Sequence, residues 1–375
     1  MLFTGQVLHA KGDDVWFEEE YIVVEDGVIV EIGTGLEKNA DYEGIIVPLF
    51  VNMHTHIADC AIGKRPPRRL KDAVAPPKGF KHVMLKKLGR DRIVMGIKSG
   101  LIGAFQSATI EVWDFREEGL DGILFMREAT STLKIPVRAK VLARPNGHTL
   151  DEIKDDEIYA LLHMADGFGI SSILDYDYDL LQTIADIVRI KKKILAVHMA
   201  EGEREDVGKV LDLKPRFVIH AIHATKEDMQ SLRDEGVGVV ICPRANSYFG
   251  MMPNVGAMID VGLDVALGTD NCMLARPSLL EEMQYLYRVS SLYNWGLEFE
   301  DIIRVAFINS GKILNPRKYT GVARSARAEF AVLRGDFEDP AYYLVMRAAA
   351  SDICAICVGK HLWRFDEKWK NLREY

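Results

Sequence analysis

IIVPLFVNMHTH, residues 45–56, runs from an unbroken apolar stretch into two histidines separated by one residue. A short apolar run of this kind, flanked by polar residues, reads as a strand buried on both faces, as in a parallel sheet. Side chains alternate along a strand, so His54 and His56 share one side of its end and both imidazoles can face one ion.

Seven further segments repeat the pattern of an apolar run closed by polar or glycine-containing loops. They are ATIEVWDF (108–115), PVRAKVLA (136–143), GFGISSIL (167–174), ILAVHMAE (194–201), FVIHAIHA (217–224), GVGVVICP (236–243) and LDVALGTD (263–270). Amphipathic stretches such as DLLQTIADIVRIKKK (179–193) and SLLEEMQYLYRVSSLY (278–293) lie between or after them, with apolar residues at helical spacing. Strands alternating with helices indicate βα units, and eight such strands are the number that closes a (β/α)8 barrel, which needs about 250 residues. The expected class is therefore α/β, with a TIM barrel over residues 49–320.

The chain ends read differently. QVLHA, VWFEEEYIVVEDG and VIVEIG, within residues 6–33, are β-rich runs broken by turn signals such as Asp26-Gly27. AEFAVLRG and YLVMRAAASDICAICVGKHLWRF, after residue 321, are again read as β-rich. The simplest arrangement joins residues 1–48 and 321–375 as one small composite β-sandwich domain. Cys354 and Cys357 form a C-x-x-C, but inside an apolar run with no second pair nearby, which makes them core residues of a strand.

Composition narrows the function. The 375 residues carry a formal net charge of -8, and no run of five basic residues appears, so nucleic acid is not an expected partner. Lys64, Arg65, Arg68, Arg69 and Lys71 come closest; they read as a solvated loop. The first residues show no basic leader followed by an apolar stretch, and no uncharged run approaches the ~20 residues that span a bilayer. A cytoplasmic protein without a membrane partner is expected. Five scattered cysteines do not suggest a disulfide framework.

In a (β/α)8 barrel the active site is built where strands end. Besides His54 and His56, the fifth strand ends in His198-Met199-Ala200-Glu201, the sixth in His220-Ala221-Ile222-His223 and the eighth in Gly268-Thr269-Asp270. Ionisable groups directly after apolar runs cost several kcal/mol to bury unless paired or metal-bound. Three imidazoles and a carboxylate suit one divalent ion: zinc is the common choice at hydrolytic sites, with iron or manganese as alternatives. Such an ion lowers the pKa of bound water from 15.7 towards ~7, so that hydroxide is present at neutral pH. Glu201 stands where a carboxylate can protonate a substrate ring nitrogen or leaving group, and His220 can orient water and stabilise developing charge. His9, His82, His148, His163 and His361 lie away from strand ends and need no special role.

These residues resemble the amidohydrolase superfamily, in the branch of cytosine, guanine and S-adenosylhomocysteine deaminases and triazine chlorohydrolases. The resemblance covers nearly the whole chain, through VPLFVNMHTH, VHMAE, HAIHATKEDM, VVICPRANSYFG and LGTDN. It implies His54, His56, His198 and Asp270 as metal ligands, Asp270 also as the base that deprotonates the attacking water, Glu201 as proton shuttle and His220 as the histidine contacting water or substrate. It implies substrate contacts from Arg244, Asn246 and Tyr248 after the seventh strand and from His223, whose role is open between support and substrate contact. Trp113 and Asp114 after the second strand are weaker candidates, a tryptophan there being more often packing than a stacking platform. The fourth strand offers no lysine to bridge two metals, which favours a mononuclear site. The loop at 57–82 lacks the acidic, tryptophan-containing pattern associated with adenosine-type substrates.

The expected function is hydrolysis of a non-peptide C-N bond in a small cyclic substrate, with deamination of an amino-substituted N-heterocycle first. Ring opening of a cyclic amide or imide, or dechlorination, is the alternative, told apart by product; an inactive metal-binding barrel would lack turnover. The resemblance also implies a homodimer or larger homo-oligomer.

Overall fold

The computed structural model describes residues 1–315, 321–335 and 338–365. Packing divides the chain into two compact units, Met1–Val51 with Phe105–Ile110 and Ser278–Tyr375, and Asn52–Ala104 with Glu111–Pro277. The expected boundary at 320–321 adjoins residues outside the described set.

The first unit holds a seven-stranded mixed sheet in the order 361–364, 353–358, 329–333, 42–48, 2–11, 14–25, 28–34, so strands from both chain ends share one sheet. The hairpin between Asp14–Glu25 and Val28–Thr34 turns on Asp26-Gly27, both at positive φ, the two-residue turn whose twist matches paired strands. Phe3 and Phe330, from opposite ends of the chain, meet edge to face at 4.9 Å in its core, next to buried Cys354 and Cys357. Part of the C-terminal run departs from the expected strand: Pro340–Met346, which contains YLVM, is a helix. Proline occupies the first turn, where its missing N–H costs nothing, and the Asp339 side chain accepts the Tyr342 amide; this start signal outweighs the β-favouring side chains.

In a second sheet, eight parallel strands follow one another in sequence order: β1 (Phe50–His56), β2 (Thr109–Arg116), β3 (Arg138–Ala143), β4 (Gly167–Ile170), β5 (Ile194–Met199), β6 (Phe217–His220), β7 (Gly238–Ile241) and β8 (Val265–Leu267). Seven of them coincide with the apolar runs read from sequence; the first run, 45–56, is instead split, Tyr42–Pro48 pairing in the mixed sheet and only Phe50–His56 forming β1. The helix Tyr178–Ile190 buries Leu180, Leu181, Ile184 and Val188 along one face, as its apolar period requires. No helix among the described residues is long and apolar enough to cross a membrane.

The run 265–271 joins the two ends of this sheet. Its first half pairs with β7, and its second half, Asp270–Asn271, pairs with β1 through Asp270 opposite Thr55. At the joint Gly268 N–H donates to Ile241 O and Thr269 N–H to His54 O, each at 2.9 Å. The buried Asn52 amide holds the same joint, its Nδ2 donating to Thr269 Oγ1 at 2.8 Å. The parallel sheet is therefore curled, with the run 265–271 pairing at both of its ends.

A side chain at residue 268 has no room, since its Cβ would stand 2.6 Å from His54 Cβ and 3.0 Å from His54 backbone atoms. Gly268→Ala is expected to cost about 2–3 kcal/mol and to lower bound-metal content, because the atoms it displaces carry His54. A melting curve and metal content matching the parent would show that the joint tolerates the methyl group.

Candidate metal centre

Strand geometry brings the expected ligands together. His54 and His56 project from the same side of β1 and are buried, while Thr55 between them faces away and donates to Asp114 Oδ1 at 2.9 Å. His198 closes β5 and Asp270 follows the joint of β8. His54 Nε2 lies 3.2 Å from both His198 Nε2 and Asp270 Oδ1, and His56 Nε2 lies 3.5 Å from the same oxygen. Four N/O ligands about 2.0–2.1 Å from one tetrahedral ion stand about 3.3 Å apart. Among the described residues His54, His56 and His198 form one grouping able to hold a metal, and His54, His220 and Asp270 another.

The ring orientations agree. His198 Nδ1 lies 2.9 Å from Ile170 O and His56 Nδ1 lies 3.1 Å from Phe115 O, so in both rings the backbone takes the Nδ1 proton and leaves an Nε2 lone pair for the centre. Two bare imidazole nitrogens 3.2 Å apart repel unless a proton or cation lies between them. Asp270 Oδ2 is buried without a hydrogen-bond partner. Burial pushes the His54 imidazole down to about 3 and, with the neighbouring imidazoles, drives His198 well below its usual range. Burial works to raise the Asp270 carboxyl, but the His54 hydrogen bond and surrounding imidazoles hold it well below the carboxylate range. Burial and the Lys81 ammonium work to lower the His56 imidazole, but the Glu117 and Asp270 carboxylates leave it above its ordinary range. Neutral His54 and His198 and an ionised carboxylate are forms that bind metal, and His56 joins them once it gives up its proton, so the residues present fit a divalent ion.

His220 and Glu201 stand beside this group. The Asn246 amide donates to His220 Nδ1 at 3.1 Å, which turns Nε2 towards Glu201 Oε1 at 3.5 Å. Burial raises the Glu201 carboxyl above its ordinary range, with His220 pulling the other way. Ala200, His220, Ala221 and Asp270 all adopt positive φ, between 49° and 75°. That conformation is unfavourable for residues with a Cβ, and its concentration at three strand ends is backbone strain held where side chains must be aimed.

Other candidates are placed as follows. Asn246 lies behind His220, whereas Arg244 Nη2 donates to Arg276 O. Tyr248 donates to Pro66 O at 2.7 Å and carries the Arg68 guanidinium 4.9 Å over its ring. His223 is exposed, with its backbone N–H on Ala200 O. Trp113 is buried, its Nε1 donating to Glu111 and its ring packed edge to face on Phe217. A cavity of about 330 Å³ opens over the centre, of a size that takes a small ligand. His56, His198, Glu201, His220 and Asp270 line it together with four groups that sequence does not mark: Lys81, Arg144, Ser172 and Glu205. The one signal in the chain for the charged layer beneath is DFREE, residues 114–118, the last three residues of β2 and the two that follow, four of the five charged.

A sequence profile of the amidohydrolase family matches residues 45–353. An uncharacterized protein of Methanocaldococcus jannaschii is 32% identical over 89% of this chain and 90% of its own length. A 5-methylthioadenosine/S-adenosylhomocysteine deaminase of Pyrococcus horikoshii is 23% identical over 95% of this chain and 94% of its own. Among solved structures, an adenosine deaminase from Xanthomonas campestris with bound zinc superimposes with a TM-score of 0.75 at 14% identity, over 96% of this chain and 92% of that one.

Glu205 provides a pH test of the cavity wall. Its carboxyl, pushed up to about 7 by burial, binds a proton in the folded chain that the unfolded chain releases near 4.5. Between those values the native state holds more protons, so stability falls as pH rises from about 4.5 through 7. Glu205→Gln is expected to remove that part of the slope, on the order of 1–3 kcal/mol, in denaturant titrations across this range. Parallel curves for the two proteins would show that Glu205 titrates normally.

Proposed function

The chain belongs to the amidohydrolase family, and on that premise we propose that it is a mononuclear metal-dependent hydrolase that deaminates an amino-substituted nitrogen heterocycle. The observation that carries this reading is the convergence of three imidazole nitrogens and one carboxylate at 3.2–3.5 Å beside a protonatable Glu201. In the same reading the parallel sheet is a closed (β/α)8 barrel, the mixed sheet is part of a composite β-sandwich, and the resident ion is zinc, the ion bound in the Xanthomonas structure.

His54, His56, His198 and Asp270 would hold the ion, which when bound makes hydroxide available from water at neutral pH. The remaining work falls to side chains. Asp270, ionised in its buried setting and with Oδ2 unpartnered, accepts the proton that the water gives up. Glu201 holds a proton, because burial raises its carboxyl, and delivers it to the ring nitrogen beside the carbon under attack. His220 keeps Nε2–H directed at this space through the Asn246 hydrogen bond, and so stabilises negative charge as it develops. Asp270 passes the proton taken from water to the exocyclic amine, which leaves as ammonia, and the hydroxyl proton released as the carbonyl forms returns to Glu201. The cavity volume admits a single or fused ring.

Glu201→Gln keeps the shape of the side chain and removes the transferable proton. It is expected to retain the parental metal content while turnover falls by about 10²–10⁴-fold. Ammonia release by the metal-loaded parent, measured over purines, pyrimidines, pterins, triazines and adenosine derivatives, identifies the substrate. Carboxylate product without ammonia would replace deamination by ring opening, and full activity in the Gln variant would remove Glu201 from the mechanism.

A further inference from the structure

Lys81 is the one buried member of a strongly basic stretch. Lys64, Arg65, Arg68, Arg69, Lys71, Lys78, Lys86, Lys87 and Arg90 are all exposed, whereas Lys81, on the first turn of the helix Phe80–Leu88, is 2% exposed. A buried ammonium persists only where counter-charge meets it. Its Nζ lies 2.6 Å from Glu117 Oε1 and 3.8 Å from Asp59 Oδ2.

The oxygen that meets Lys81 also meets a metal-site histidine. Glu117 Oε1 stands 2.8 Å from His56 Nδ1, closer than the better-aligned Phe115 carbonyl at 3.1 Å that takes the hydrogen bond. The second Glu117 oxygen is held by Arg116 Nη2 at 2.7 Å, and Arg116 Nη1 bonds Asp114 Oδ2 at 3.2 Å. Asp114 Oδ1 in turn accepts the Ile57 amide at 2.6 Å and the Thr55 hydroxyl. The carboxylate is therefore clamped from both sides, by β2 and by the segment that follows β1. That segment also walls the cavity through Leu70, Lys71, Val74 and Pro76.

We propose that Glu117 is a positioning carboxylate for the metal site, acting through His56, and that Lys81 is its resident counter-charge, which makes the cavity wall 70–88 one unit with the metal ligand. The inference rests on the reading of His56 as a ligand, and not on the substrate or the reaction. Negative charge on the far side of a ligating imidazole strengthens the ligand and fixes its ring, and such outer partners are typically worth about 10–100-fold in metal affinity. The sign for Lys81 follows from Coulomb's law. With Glu117 present, the ammonium is neutralised and seats the helix; with Glu117 made neutral, only Asp59 at 3.8 Å remains to balance the ammonium, and its positive charge weighs on the ion.

The test is zinc affinity, by competition with a chromophoric chelator, together with amide hydrogen exchange over residues 70–88. Both need only the full-length protein and zinc. Glu117→Gln is expected to weaken zinc binding at least tenfold. Adding Lys81→Met to it should recover severalfold of that loss, whereas Lys81→Met alone should bind zinc within severalfold of the parent yet exchange faster across 70–88. The double variant replaces a buried charge pair by neutral groups of similar size, and so tests the idea if either single variant does not fold; it should still bind more weakly than the parent. Zinc affinity within threefold of the parent in Glu117→Gln, parental affinity in the double variant, or additive losses in place of recovery would each overturn the proposal. A parent protein that binds no zinc would defeat the metal reading itself, a result distinct from these.

Discussion

Three imidazole nitrogens and a carboxylate oxygen, linked through contacts of 3.2–3.5 Å between largely buried side chains, repel or leave one another unsatisfied unless a cation sits among them. The second unit is arranged around that requirement. The eighth strand breaks at Gly268-Thr269 so that its tail can pair with β1 and aim Asp270 inward. The residue opposite Asp270 is Thr55, which places that carboxylate between the two histidines of the first strand. Positive φ at Asp270 and His220 is the local cost of pointing those side chains at the centre, and the hydrogen-bonded sheet around them sustains it.

A second layer of charge supports the first. Asp114, Arg116, Glu117, Lys81 and Asp59 are all buried, and their signs alternate through contacts of 2.6–3.8 Å. Isolated, any one of them would be expensive to bury; joined, they hold the segment after β1 against the end of β2. His56 and His198 are thus fixed from behind by backbone carbonyls, His56 by the Glu117 carboxylate as well, while the neighbouring ligand groups meet the rings in front.

The strands were legible because each is a short apolar run ending in polar residues, a local pattern that tertiary packing reinforces. The helix Pro340–Met346 was not, since YLVM has β-favouring side chains and only the Asp339-Pro340 start tips it. The candidate ligand residues, which the fold brings together, were legible from their position after apolar runs. Asn246 stood out in sequence as a substrate contact, yet its amide lies behind His220 and orients that ring. Trp113 packs on Phe217, where strand alternation alone does not separate a cavity wall from the core.

Sequence by itself determined which side chains can ligate and where the chain makes strands, because both follow from residue type and a period of two. Tertiary structure decided which charged groups are buried. Lys81 differs in no local way from the nine exposed lysines and arginines around it; only the meeting of the loop after β1 with the end of β2 puts it against Glu117. Burial and counter-charge depend on residues 22 and 36 positions away in the chain, and no local pattern records them.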